Sequence, residues 1–231
     1  MENKKIKGKL ILVGGQAVGK TSLITQYIDK TFTEGYIMTV GKEKSLKKIN
    51  IEGKEVSLEI CDTAGQEEYK LVNKIFMKNS DIALIVYDIT NRKSFEELSN
   101  WIYSVNESNN NQNVIFGIAA NKSDLYEQKV INKKEGEEFA KNNNVLFFET
   151  SAKDYDSVEN VFLTLTKEYL KNKEKEEERK EEEERKEEEE RKKKEERKKK
   201  EPFETDMNDK PIDPVSPIPP RCCCCYRCLI Y

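Results

Sequence analysis

The sequence contains no histidine, and this absence excludes several kinds of active site. A Ser-His-Asp triad, an imidazole general base and a histidine-ligated metal centre all require a residue that the chain does not have. Cysteine is nearly confined to the end of the chain, because five of the six cysteines lie in the last ten residues. No disulfide framework can therefore staple the rest, a reducing compartment is expected, and the remaining Cys61 is expected in the core.

Long apolar runs and a surplus of positive charge are also missing. No stretch approaches the roughly 18 apolar residues of a membrane-spanning helix, and the N-terminus lacks the apolar region of a signal peptide. The formal net charge is −3, and no basic face stands out in the sequence. We therefore expect no nucleic-acid partner, since proteins that grip nucleic acid concentrate lysine and arginine.

Glycine, proline and charge are unevenly distributed along the chain. All ten glycines lie before residue 137 and all six prolines lie after residue 201. Apart from Asn172, every residue from 171 to 201 is charged. The composition predicts a globular domain at 1–170, a charged segment at 171–201, a proline-rich linker at 202–220 and a cysteine-rich end at 221–231.

The globular part alternates short apolar runs with amphipathic stretches. The runs at 9–13, 82–87, 114–120 and 145–148 are typical of parallel strands buried on both faces. Apolar residues alternate on either side of Glu52-Gly53, which predicts an antiparallel hairpin at a sheet edge. Two helices are predicted to begin with capping boxes, at Ser94 with Glu97 and at Asp156 with Glu159. The pattern predicts a mixed, mostly parallel α/β sandwich.

The first strand leads directly into GGQAVGKT, which has the spacing of a phosphate-binding loop followed by a helix. Glycines let backbone N–H groups curl around phosphates, Lys20 reaches the β- and γ-phosphates, and Thr21 offers a hydroxyl to Mg²⁺. The alternative is a plain glycine turn before a helix. The predicted nucleotide contacts of this segment are Gly14, Gln16, Ala17, Val18, Gly19, Lys20, Thr21 and Ser22.

Two further motifs follow strands. Asn121-Lys122-Ser123-Asp124 places a carboxylate at a strand end, where Asp124 can accept from N1–H and the 2-amino group of guanine; adenine has no such donor pair. Alone, such a four-residue match is more often a solvated loop, but together with the loop at Gly14 it becomes a strong signal. The segment DTAGQ places Asp62 to hold Mg²⁺ through water, the Gly65 N–H to meet the γ-phosphate, and Gln66 to orient the attacking water, with a capped turn as the alternative.

With these motifs in order, residues 6–170 resemble a Ras-superfamily small GTPase. The segments DTAGQEEY at 62–69, TSAK at 150–153 and FTEGYIMTVG at 32–41 carry the resemblance. It implies a P-loop small GTPase fold, with a mostly parallel six-stranded sheet and helices on both faces, that binds GTP or GDP with Mg²⁺. It also implies Gln66, Lys20 and Thr39 as catalytic residues, Thr21, Thr39 and Asp62 at the metal, and Phe32, Ser151, Ala152 and Lys153 at the guanine.

The segment at 87–102 resembles Rab proteins, but two positions depart from that group. Cys61 stands where Rabs usually have tryptophan, and Lys44 stands where they usually have phenylalanine. Both positions belong to the surface that effectors contact in that group. The sequence therefore favours a divergent Rab, or an intermediate between Ras and Rab.

We therefore expect the chain to be a monomeric, lipid-anchored switch on the cytoplasmic face of a membrane, with a cytosolic pool. Its expected partners are effectors, an exchange factor and a GTPase-activating protein, and vesicle trafficking is the expected process. An alternative is a tethering or spacer module that keeps nucleotide bound and hydrolyses little, since Lys42, Glu43 and Lys44 alter the surface beside Thr39.

Hydrolysis is expected to be slow without an activating protein. Arg92 is the one arginine in residues 1–170, and it follows a strand away from the motifs above, so we expect no arginine finger in cis. Gln16 either crowds an arginine supplied by an activator or points to solvent.

The end of the chain contains two further features. The charged segment at 171–201 is either a solitary helix supported by i,i+4 pairs such as Glu182 with Lys186, or a disordered polyampholyte. Cys228 begins a C-terminal prenylation box, and Cys222, Cys223, Cys224 and Cys225 are candidate palmitoylation sites that would supply a second anchor. The alternatives are a pair of prenylated cysteines or a cysteine-rich metal tail.

Overall fold

The computed structural model describes residues 6–33, 44–63, 76–110 and 113–200. The chain divides into two compact units, Met1–Glu181 and Glu182–Tyr231. A short 3₁₀ helix at Tyr126–Gln128 accompanies the main elements. These are β1 (Ile6–Val13), α1 (Lys20–Asp29), β2 (Lys44–Ile51), β3 (Lys54–Asp62), β4 (Ile82–Asp88), α2 (Arg92–Glu96), α3 (Leu98–Ser108), β5 (Ile115–Asn121), α4 (Lys133–Asn142), β6 (Leu146–Glu149) and α5 (Tyr155–Lys200).

One six-stranded sheet organises the first unit. The strand order is β2-β3-β1-β4-β5-β6. Only the β2–β3 pair is antiparallel; the other neighbouring strands run parallel. This confirms the predicted α/β fold with a mostly parallel sheet.

Apolar side chains pack on both faces of the sheet, which explains the continuous apolar runs. Every residue of β4 is buried. One core cluster joins α1 and α5 to one face, and the other joins α2, α3 and α4 to the opposite face. Cys61, at 0% exposure, belongs to the second cluster, as predicted.

The β2–β3 hairpin follows from its alternating sequence. Ile49 and Val56 are register partners and both face the core, while the side chains between the apolar ones are exposed or half-buried. The turn contains Glu52 and Gly53, both at positive φ, which matches the right-handed twist of a hairpin. The predicted edge hairpin is confirmed.

The two predicted helix starts are wrong by two to three residues. Asn91 caps α2, because its side chain accepts from the Lys93 N–H at 3.1 Å, whereas Ser94 lies inside the helix. At α5, Asp154 accepts from the Asp156 N–H at 3.2 Å, so Asp156 lies in the first turn. In both cases a short Asn or Asp side chain before the helix reaches the free N–H groups first.

Helices α1 and α5 meet through a buried aromatic pair. The Tyr27 and Phe162 rings stack with centroids 4.0 Å apart and planes within 6°. Lys47 of β2 donates to the Tyr27 carbonyl at 2.9 Å, and its Nζ lies 4.7 Å from the Tyr27 ring centroid. Helix α5 and the β2–β3 hairpin therefore both contact α1 at Tyr27.

The second unit, in the part that the structure describes, is helical and polar. Three i,i+4 ion pairs line it: Glu182–Lys186 at 2.7 Å, Glu188–Lys192 at 2.7 Å and Glu190–Lys194 at 3.9 Å. No helix in the described ranges has both the length and the apolar composition needed to span a bilayer. The linker at 202–220 and the end at 221–231 lie outside the described residues.

The Tyr27–Phe162 stack predicts a large effect of truncation. Phe162→Ala should lower the free energy of unfolding by about 3–5 kcal/mol, because it removes a fully buried ring and leaves a cavity. Tyr103→Ala, which truncates a ring that is 68% exposed, should change it by less than about 0.5 kcal/mol. Urea unfolding of the GDP-loaded chain measures both, and equal effects of the two variants would contradict this packing.

Candidate functional site

The carboxyl ends of the parallel strands meet at one edge of the sheet, and the loop between β1 and α1 lies at this edge. Gly14 adopts φ +146°, and a Cβ there would lie 2.2 Å from the Val86 carbonyl oxygen. Gly19 adopts φ +102°, and a Cβ there would lie 2.3 Å from Asn121 Nδ2. Glycine is therefore required at both positions by backbone conformation and by space. Between them, Gln16 and Ala17 are exposed and Val18 is buried.

Lys20 at the start of α1 folds back over this loop. Its Nζ donates to the Gly14 carbonyl at 3.0 Å and to the Gly15 carbonyl at 2.7 Å. Burial lowers the pKa of Lys20 to about 8, although the nearby Asp62 carboxylate acts in the opposite direction. The loop therefore holds a buried ammonium group whose charge is poorly solvated, which is suited to meeting an anion.

Thr21 and Asp62 form the second feature of the site. The Thr21 hydroxyl donates to Asp62 Oδ2 at 2.6 Å. Next to it, Thr63 donates to the Leu12 carbonyl at 2.6 Å, which fixes the end of β3 beside β1. A hydroxyl and a carboxylate are the oxygen ligands that Mg²⁺ accepts, so the residues fit this ion. The third predicted ligand, Thr39, lies outside the described residues.

Asn121 joins the loop to the next motif. Its Nδ2 donates to the Val18 carbonyl at 2.8 Å, and its Oδ1 accepts from the Thr150 hydroxyl at 3.3 Å. Asn121 is 1% exposed, so both ends of its amide are used inside the protein. The amide therefore connects three chain segments that are far apart in sequence.

Asp124 lies where the predicted base pocket needs a carboxylate. Ser151 Oγ donates to its Oδ1 at 2.6 Å, and Lys153 Nζ lies 3.4 Å from its Oδ2. Burial opposes the charged form, but the hydrogen bonds outweigh it and leave the pKa of Asp124 below its ordinary value. The residue is therefore an anion at neutral pH, ready to accept hydrogen bonds.

Most of the predicted site residues lie in the described part and cluster here. Phe32 is 37% exposed, and Lys153 Nζ lies 5.6 Å from its ring centroid. Ser151 and Ala152 are buried, and Ser22 is half-buried in the first turn of α1. The predicted residues that the structure does not describe are Thr39, Gly65, Gln66, Cys222, Cys223, Cys224, Cys225 and Cys228. Their roles stay predictions.

Sequence reasoning missed Asp88. Its Oδ2 accepts from Lys122 Nζ at 2.5 Å, and its Oδ1 accepts from the Thr90 N–H at 2.8 Å. Lys122 adopts a positive φ of 63°, so its backbone conformation is also unusual. A carboxylate as the last residue of the buried strand β4, at the edge where the motifs collect, was the available signal. We assign Asp88 to holding Lys122 in place.

Arg92 lies outside this cluster. Its guanidinium forms an ion pair with Glu135 and donates to the Val130 carbonyl at 2.8 Å. Both partners belong to the region around α4, which holds the guanidinium there.

The sheet edge and its residues define a nucleotide-binding α/β protein of the P-loop class. A protein-family model described as the Ras family matches residues 9–171. Ras-related protein RabQ from Dictyostelium discoideum is 41% identical over 162 residues, which cover 70% of this chain and 79% of that protein. The chain therefore belongs to the Ras family and is a Rab-like small GTPase, an enzyme that hydrolyses GTP. The predicted family is confirmed.

The two positions that depart from the Rab pattern are neighbours. Lys44 and Cys61 are register partners in the β2–β3 hairpin. Lys44 forms an ion pair with Glu59 at 2.6 Å, and the Cys61 thiol donates to Glu59 at 3.6 Å. Burial raises the pKa of the Cys61 thiol, so it stays protonated at neutral pH. An ion pair and a thiol therefore stand at the two positions where Rab proteins usually have aromatic residues.

The lowered pKa of Lys20 predicts that GDP binding takes up a proton above neutrality. The buried amine is partly neutral near pH 8, and phosphate charge favours its protonated form, so the pKa should rise on binding. At pH 8.5 we expect an uptake of roughly 0.7 proton per GDP, and at pH 7.2 roughly 0.1. Calorimetry of the nucleotide-free chain in buffers of different ionisation enthalpy measures this uptake, and equal values at both pH settings would contradict it.

Proposed function

We propose that this Rab-like GTPase is a lipid-anchored switch that recruits effectors in its GTP form, with vesicle trafficking as its process. The convergence of Lys20, Asn121 and the Thr21–Asp62 pair on one sheet edge supports the nucleotide chemistry. The family relationship supports the cycle between GTP and GDP.

We assign the phosphate end of the pocket to the loop from Gly14 to Thr21. Its backbone N–H groups and the Lys20 ammonium would bind the phosphates, and Thr21 with Asp62 would hold Mg²⁺. When bound, Mg²⁺ would offset the negative charge of the phosphate oxygens. By the family resemblance, Thr39 would sense the γ-phosphate, and Gln66 would orient the attacking water. Loss of the γ-phosphate would release their segments, which is how such switches report hydrolysis.

The base end of the pocket would select guanine through Asp124. Ser151 and Lys153 already contact this carboxylate, and its remaining lone pairs would accept from the N1–H and 2-amino groups of the base. Adenine offers no such pair of donors and would leave the carboxylate unsatisfied, a loss of about 1–3 kcal/mol or more. Selectivity for guanosine nucleotides would follow from this penalty.

The location of Arg92 supports the proposal that intrinsic hydrolysis is slow. Its contacts with Glu135 and Val130 hold its guanidinium near α4. A GTPase-activating protein would then supply the missing positive charge. Gln16 is exposed at the tip of the loop, where its side chain could meet such a partner.

The membrane anchor is proposed from the sequence of the chain end. Cys228 would be prenylated, and palmitate on one or more of Cys222, Cys223, Cys224 and Cys225 would supply the second chain that stable anchoring requires. The protein would then act as a monomer on the cytoplasmic face of a membrane, exchange with a cytosolic pool, and meet an exchange factor and effectors there.

A spacer module with constitutively bound nucleotide is the second candidate. The Lys44–Glu59 ion pair beside Cys61 favours it, because it changes the hairpin surface that partners of Rab-like proteins would contact. Such a module would bind its partners equally well with GDP and with GTP.

Single-turnover hydrolysis by the full chain tests the enzymatic part. Without an activator, the rate constant should stay below about 10⁻² s⁻¹, the order reached by GTPases that carry an arginine in cis. Arg92→Ala should leave it unchanged within about twofold, whereas Gln66→Leu should lower it by about tenfold or more. A fast native rate that Arg92→Ala abolishes would show that Arg92 reaches the nucleotide.

Partner capture and membrane fractionation test the switch and the anchor. Gln66→Leu loaded with a GTP analogue should retain proteins from native lysate that the GDP-loaded chain does not retain. Equal retention would favour the spacer. In cells, Cys228→Ser should move the protein from the membrane fraction to the cytosol, and mass spectrometry of the C-terminal peptide should find the lipids. An unmodified peptide from the membrane fraction would contradict the anchor.

A further inference from the structure

Two cation–π contacts cross between the end of α1 and the start of α5. Lys30 Nζ lies 4.3 Å from the centroid of the Tyr155 ring. Lys153 Nζ lies 5.6 Å from the centroid of the Phe32 ring. Each segment thus contributes one lysine and one aromatic ring two residues apart, and each lysine faces the ring of the other segment. We call these four residues the crossed clamp.

The Lys30–Tyr155 half of the crossed clamp is fixed by its own backbone and by one hydrogen bond. Lys30 is the C-cap residue of α1 and adopts the left-handed region at φ 55°, where its N–H donates to the Gln26 carbonyl. Tyr155 begins α5, and its hydroxyl donates to Glu159 Oε1 at 2.6 Å. The cation and the ring are therefore presented from well-defined positions.

The core beneath this contact is closely packed. Tyr27 lies one helical turn before Lys30, and its ring stacks on Phe162, two turns after Tyr155 on the same helix. Both rings of the stack are buried, at 2% and 0% exposure. The contact between Lys30 and Tyr155 thus extends a buried helix–helix interface towards the edge of the sheet where Asp124 lies.

Phe32 is the more exposed of the two rings in the crossed clamp. The Phe32 ring is 37% exposed, so burial alone does not fix its position. Lys153 is exposed as well, and its Nζ also contacts Asp124 at 3.4 Å. Phe32 follows Lys30 by two residues, so the backbone that places the Phe32 ring starts from the Lys30–Tyr155 contact.

We propose that Lys30 and Tyr155 are positioning residues that hold Phe32 at the guanine end of the pocket and so slow nucleotide release. The proposal rests on the proposed function, since it assigns Phe32 and Asp124 to the base. Loss of the Lys30–Tyr155 contact would let residues 30–33 move and would withdraw the Phe32 ring from the base. A partly exposed cation–π contact corresponds to an effect of about two- to fivefold on release.

Release of methylanthraniloyl-GDP from the full chain in Mg²⁺ tests the proposal. After excess GDP is added, Lys30→Met and Tyr155→Leu should each release the probe about two to five times faster than the native chain. Lys30→Arg keeps a cation and Tyr155→Phe keeps the ring, so both should release at close to the native rate. Tyr155→Phe removes the hydroxyl contact with Glu159 but keeps the ring, so it measures the contribution of the ring alone.

Two comparisons separate positioning from general destabilisation. The control Lys141→Met removes an exposed lysine from the last turn of α4. Because β6 begins just after this helix, Lys141 lies at the amino ends of the strands, away from Asp124, and its loss should not change the release rate. Phe32→Leu should release faster than the native chain, and adding Lys30→Met to it should have little further effect, because the ring that Lys30 positions is already gone.

The outcomes distinguish this inference from the function on which it rests. If the native chain does not bind the probe, the proposed base pocket fails as well. If the native chain binds it but Lys30→Met releases at the native rate, or if Lys30→Met and Phe32→Leu are fully additive, the positioning role is wrong and the proposed function stands.

Discussion

The amide of Asn121 is the contact on which the arrangement of the pocket depends. It donates to the Val18 carbonyl and accepts from Thr150, so it joins the phosphate loop, the end of β5 and the end of β6. Because the amide is buried, loss of either hydrogen bond would leave a polar group without compensation, and this penalty holds the three segments in contact. The Asn121 amide lies so close to the phosphate loop that a Cβ at Gly19 would have no space.

Charge is arranged along this edge in small, partly buried pairs. Lys122 is held by Asp88, Lys153 by Asp124, and Lys20 lies near Asp62. Each lysine therefore has an acidic neighbour within the fold, and burial lowers the pKa of Lys20 to about 8. A phosphate ligand would bring further negative charge close to the buried Lys20 ammonium group and would stabilise its charged form.

The surface beside the pocket distinguishes this chain from the pattern it resembles. Lys44, Glu59 and Cys61 form a charged pair and a buried thiol on the β2–β3 hairpin. The crossed clamp is a second local feature, because its lysine–aromatic pairs depend on the particular residues at 30 and 155. Family membership supplies the pocket and its chemistry, whereas these side chains are where release rates and partner choice would be set.

The sequence by itself determined the sheet and the hairpin, because buried strands and turn glycines impose strong local patterns. It also marked the candidate pocket residues through their motifs. It did not determine where helices start, since Asn91 and Asp154 compete with later residues for the same free N–H groups and only the folded geometry selects between them. It also could not reveal Asp88 with Lys122 or Lys30 with Tyr155. The two members of each pair are far apart in the sequence, and only the packing of strands and helices brings their side chains into contact.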